Sequence, residues 1–94
     1  MELALFAQII AKAGEETRLH QELQRLVTAT RQEPGCIDYK LHLDINDSKV
    51  FWMYEIWQSI AALDSHMTSE HMQAFLAHID TLVSDIKLHK TTAD

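Results

Sequence analysis

Residues 36–57, CIDYKLHLDINDSKVFWMYEIW, contain two strand signals of different kinds, and the difference between them decides the fold. In the first, Ile37, Tyr39, Leu41 and Leu43 alternate with Asp38, Lys40, His42 and Asp44. Successive strand side chains point to opposite faces, so this period of two describes a strand with one buried face and one wet one. Charges on one side suit a sheet edge, where they discourage pairing with other chains. The second, VFWMYEIW at 50–57, is apolar on both faces apart from Glu55, the pattern of a central strand. INDS at 45–48 makes the turn between them.

Upstream, LALFAQII at 3–10 is apolar almost throughout and reads as a second central strand covered on both faces, closed by Gly14. From Glu15 to Gln32, Leu19, Leu23, Leu26 and Val27 fall on one helical face, with Glu15 and Glu16 at its positive end. EPG at 33–35 stops that helix, because a residue before proline avoids the helical conformation. Downstream, Ser59 can cap a helix over Ile60–Met67. Thr68 or Ser69 can cap a second piece whose apolar face is Met72, Phe75, Leu76, Ile79, Leu82 and Val83. IKLHK at 86–90 alternates like the other edge strand.

The predicted order is βαββαβ with the last helical segment broken in two. The simplest sheet puts strands one and three in the centre and strands two and four at the edges. That is an α+β fold of the ferredoxin-like split βαβ kind, a four-stranded antiparallel sheet with helices on one face. Its other face must still hide aromatics, from either Val50/Trp52/Tyr54/Ile56 or Phe51/Met53/Trp57. A bare patch of that size predicts a homodimer joined through the sheet faces, a dimeric α+β barrel.

At 94 residues the chain is read as one domain, 1–94, ending in a polar tail from Thr91. Its net charge is −6 and its eight Lys/Arg are scattered, so neither nucleic acid nor a membrane surface is an expected partner. The apolar N-terminus lacks a basic leader and is interrupted by Gln8 and Lys12, so it reads as a strand and not a signal peptide. A single cysteine, Cys36, fits a reducing cytoplasm.

The stretch most like a site is DSHMTSEHMQAF, 64–75, with His66 and His71 five positions apart across a Thr-Ser break. On one straight helix the two rings would diverge; a bend at Thr68-Ser69 lets both approach one cavity. Metal ligation is the weaker reading, because helical ligand pairs favour spacings of three or four and no third ligand stands at a recognisable spacing. A pair capping a solvated helix start is the bland alternative. Glu55 must be paired if buried, with Arg31 or a backbone group as the expected partner, or its pKa rises. Trp57, Trp52, Tyr54 and Tyr39 are more often core or interface, and His20, His42 and His89 read as surface.

With these elements laid out, the chain resembles the antibiotic biosynthesis monooxygenase family. The marks are EPGC at 33–36, Tyr39, YEIWQS at 54–59, Ala62-Leu63-Asp64-x-His66, and SEHMQAF at 69–75. The resemblance implies a homodimer with a pocket between sheet and helices in each subunit. It implies oxygenation of quinol- or phenol-like compounds with molecular oxygen and no cofactor: no metal, flavin or haem. His71, His66 and Glu55 would be the catalytic groups; Trp57, Tyr54, Phe75 and Tyr39 would bind the small aromatic substrate. The haem-degrading branch has an asparagine and a histidine where Ala7 and Leu76 stand, so haem chemistry is not carried over. The alternatives are an isomerase or detoxifying enzyme for a small carbonyl or phosphorylated signalling compound, or a non-catalytic dimeric module. An isomerase of the family shares the paired histidines, but no arginine cluster for a phosphate is evident.

Overall fold

The computed structural model describes all 94 residues. The elements are β1 (Leu3–Ala11), α1 (Glu16–Thr30), β2 (Cys36–Leu43), β3 (Val50–Trp57), α2 (Ile60–Met67), α3 (Glu70–Leu76), α4 (Ile79–Leu82) and β4 (Val83–Thr91). The strands form one antiparallel sheet in the order β2-β3-β1-β4, with the two apolar strands central as their patterns require. This is the ferredoxin-like α+β fold. No helix is long and apolar enough to cross a membrane.

The register sorts each strand into two faces. Leu5 pairs with Glu55 and Ala7 with Met53, so these share the inner face with Phe51, Trp57, Tyr39 and Leu41. Leu19, Leu23 and Leu26 of α1 bury against them in one core. On the outer face, Phe6 lies opposite Tyr54 and Gln8 opposite Trp52. No helix covers that face: Phe6 is 44% and Trp52 38% exposed. The bare aromatic face expected of the single chain is there.

Four sequence expectations differ from the structure. A β-bulge between Cys36 and Asp38 turns Ile37 outward, so Cys36 and not Ile37 packs on the core. The bulged residue adds one position to one strand and shifts the alternation from there. The helical segment after β3 is in three pieces, not two, because Ala77 and His78 interrupt it. The third piece is a single turn: Lys12 N–H bonds the Leu82 carbonyl, and Val83, placed on the helical face from sequence, pairs instead with Ala11 as the start of β4. The N-terminal half of β4 thus begins three residues before the expected strand. Last, His20 is half-buried with its ring 5.6 Å from Phe51, not a surface group.

Candidate active site

His66 is placed by the end of α2. Ser59 caps that helix through its Oγ, which accepts the Ala62 N–H at 3.1 Å. At the other end the helix stops at Thr68, and Ser69 ties the next one to it. The Ser69 Oγ donates to the His66 carbonyl at 2.6 Å and accepts the Met72 N–H at 3.3 Å. The bend expected at Thr68-Ser69 is there, and it leaves the His66 and His71 rings 5.9 Å apart.

Between them stands Glu33, which the sequence places only in a turn. One oxygen of Glu33, Oε2, lies 2.7 Å from His66 Nδ1 and 2.7 Å from His71 Nε2. Glu33 reaches this position because the turn after α1 is pressed onto α2. The Gly35 backbone is so close to Ala62 that a Cβ on it would stand 2.3 Å from the Ala62 Cβ. Gly35 is needed for that approach, and its carbonyl then accepts the Gln58 N–H at 2.9 Å.

A carboxylate can only accept, so the geometry assigns the proton of each facing nitrogen to the imidazole. His66 then carries Nδ1–H and keeps its lone pair on Nε2. Its ring is almost wholly buried, 4.7 Å from Trp57 and 5.6 Å from Tyr39. Burial pulls its pKa below the usual histidine value, against the opposing pull of Glu33, so the ring is neutral near pH 7.

Glu55 lies in the same wall. Its expected partner, Arg31, is elsewhere: the guanidinium donates Nε–H to the Tyr39 carbonyl at 3.0 Å. The partner is Trp57, whose Nε1–H donates to Glu55 Oε1 at 2.8 Å. One neutral donor does not repay the loss of water, and burial pushes the carboxyl up to about 7. Burial and the Glu55 charge likewise raise the Tyr39 phenol. Cys36, at the bulge, has its thiol pushed up to about 11 by burial, which leaves it unreactive.

His66, Glu55, Tyr39 and Phe75 meet at one cavity of about 160 Å³ between the inner sheet face and the helices. Its remaining walls are aliphatic side chains and methionines from all four helices and from β1, β3 and β4. Three predicted site residues are not in its lining. His71, a quarter exposed, stands behind Glu33 on the solvent side. Trp57 is fully buried and supports His66 and Glu55 from behind. Tyr54 is on the opposite sheet face, 5.2 Å from Phe6, and cannot wall the cavity.

The fold also supplies what spacing along the chain did not: a third group beside the two histidines. Glu33, His66 and His71 offer one carboxylate oxygen and two imidazole nitrogens within 4.8 Å of one another, a donor set able to hold a divalent ion. Hydrogen bonds already satisfy all three atoms, and neither Glu33 nor His71 borders the cavity. A cation there would sit beside the cavity wall, at His66 Nδ1.

A ferredoxin-like α+β unit with an apolar cavity under its helices and a neutral imidazole in the wall has room for a small apolar molecule. The chain belongs to the antibiotic biosynthesis monooxygenase family, whose pattern it matches over residues 3–78. It is 32% identical over 82 residues to "Putative monooxygenase YcnE" of Bacillus subtilis (strain 168), covering 87% of this chain and 86% of that protein. A Synechocystis protein, sll1783, is 31% identical over 70 residues, 71% of this chain; the match spans 48% of that longer protein. Among solved structures, PA3566 from Pseudomonas aeruginosa superposes with a TM-score of 0.96 at 36% identity, over 99% of this chain and 94% of that one.

Proposed function

We propose that the protein is a cofactor-independent monooxygenase of a small quinol- or phenol-like aromatic compound, working as a homodimer in the cytoplasm. The observation that supports this most is the double role of His66. Its ring borders the cavity, and its Nδ1 is held by Glu33, which leaves Nε2 free as a proton acceptor in a mostly apolar lining.

The chemistry needs little else. Nε2 takes the phenolic proton, and Glu33 stabilises the imidazolium that forms, as a carboxylate behind a histidine does in acyl-transfer triads. The phenolate then gives one electron to molecular oxygen, and the resulting radical pair joins at a ring carbon as a C–O–O bond. The peroxide takes back the proton held on His66, and loss of water, with the hydrogen of that carbon, leaves a quinone. Phenol plus oxygen gives quinone plus water, so no external reductant is required. The apolar walls keep bulk water from the intermediates. Glu55, poised near neutrality, can donate a hydrogen bond to the developing quinone oxygen. His66 and Glu55 are thus the catalytic residues, Phe75 and Tyr39 the substrate-binding ones. His71 positions Glu33, and Trp57 positions Glu55.

The bare outer face, with Phe6, Trp52 and Tyr54, is the surface through which two copies join. The direct test is oxygen uptake by purified protein over a panel of phenols and hydroquinones. Uptake well above autoxidation, abolished in His66→Ala, is the expected result. Turnover of a carbonyl or phosphorylated compound under argon, without oxygen uptake, would instead favour an isomerase.

A further inference from the structure

We infer that the cavity beside His66 takes an uncharged phenol or hydroquinone of a single ring, with its hydroxyl at the Glu55–His66 end and any alkyl substituent towards β4. The hydroxyl chemistry rests on the functional reading above; the size, charge and orientation rest on the cavity itself.

Size comes first. A volume of about 160 Å³ is close to that of a dry cavity of ~150 Å³ that holds one benzene. A second fused ring needs more space than a one-benzene cavity holds, and Leu76 of α3 is among the side chains that bound it. Charge is the second limit. Of the 15 lining residues 13 are hydrophobic, the other two are Glu55 and His66, and no lysine or arginine is among them. A phosphate or carboxylate would lose its water, meet no cation and face a carboxyl group. Phosphate recognition calls for arginines or converging N–H groups, and the lining has no such side chains.

Polarity fixes the direction. Tyr39 lies opposite Glu55 in the sheet register, and its ring is 5.6 Å from His66, so the polar groups share one end. At the β4 side stand Ile86 and Leu88, with Ile79 of α4. Leu88 is half exposed, so that side opens at the sheet edge and can pass a short hydrocarbon substituent.

The test is calorimetric titration of the wild-type protein under argon with methylhydroquinone, 1,4-dihydroxynaphthalene and 4-hydroxybenzoate. Methylhydroquinone is expected to bind at least tenfold more tightly than either of the others. In Leu76→Ala, which widens the cavity from α3, the gap to the naphthalene diol should shrink or reverse. Equal or tighter binding of the two-ring diol or of the carboxylate by the wild type overturns the inference, as does no binding of any of the three. Oxygen uptake is read separately. Selective one-ring binding without uptake keeps the inference and removes the monooxygenase reading. Uptake with unselective binding does the reverse.

Discussion

Neighbouring residues of β3 meet opposite fates. Phe51, Met53, Glu55 and Trp57 point under the helices and are buried, while Val50, Trp52, Tyr54 and Ile56 point to a face that no element of the chain covers. Both faces carry aromatics, but only the inner one gathers ionisable groups away from water. Aromatic side chains alone do not make a reaction site. The inner face differs because a carboxyl and an imidazole there have shifted proton affinities and an enclosed space to act on.

The sharpest way to break this contrast is His66→Ala. Turnover should fall by about 10²–10⁴-fold, the usual contribution of a positioned general base, in oxygen-electrode assays. An outer-face substitution that lowers the chemical step as much, with the oligomeric state unchanged, would erase the distinction. Next comes pH. The Glu55 carboxyl is raised from 4.5 to about 7, so the folded state holds a proton that the unfolded chain has released. Stability should therefore fall as pH rises between about 4.5 and 7, by at most ~1.4 kcal/mol per pH unit from this group, and level off above. Glu55→Gln should remove that slope in urea titrations at several pH values. His66 acts in the opposite sense. Its depressed value makes the unfolded chain protonate first as pH falls below 6.5, so its contribution is lost on the acid side.

Gly35→Ala should be smaller, destabilising by about 1–3 kcal/mol through overpacking against Ala62, with the midpoint of denaturation as the measurement. Because the added methyl also lifts Glu33 away from His66, turnover should fall more than stability does. Trp52→Asp on the outer face should shift the dimer towards monomer in light scattering while leaving the affinity of a cavity ligand within a few fold. Chelation by EDTA sets the zero of the scale: no change in oxygen uptake. A loss restored by one divalent metal would transfer the chemistry to Glu33, His66 and His71.

Much of this was legible from periodicity. The alternation of β2 and the two continuous apolar strands were enough for the sheet order, because a buried face and a wet face leave different spacings. The bend between the histidines was legible too, since Ser69 is a capping residue type in front of an apolar run. Tyr54 was misplaced for a definite reason: with both faces of β3 apolar, the pattern does not say which one meets the helices. Glu55 held the answer, because it shares a face with Trp57 and pairs across to Tyr39. Glu33 escaped because its contact with His66 spans 33 positions and depends on backbone packing at Gly35. The only local hint was a glycine where proline alone would have stopped the helix. The end of the helical segment was set by tertiary pairing of Val83 with Ala11, which overrides its place on an apolar helical face.

The single oxygen shared by two rings has one more consequence. It joins the end of α2 and the start of α3 to the turn before β2 through one atom. A shift of that turn would therefore displace the buried ring and the solvent-side ring together.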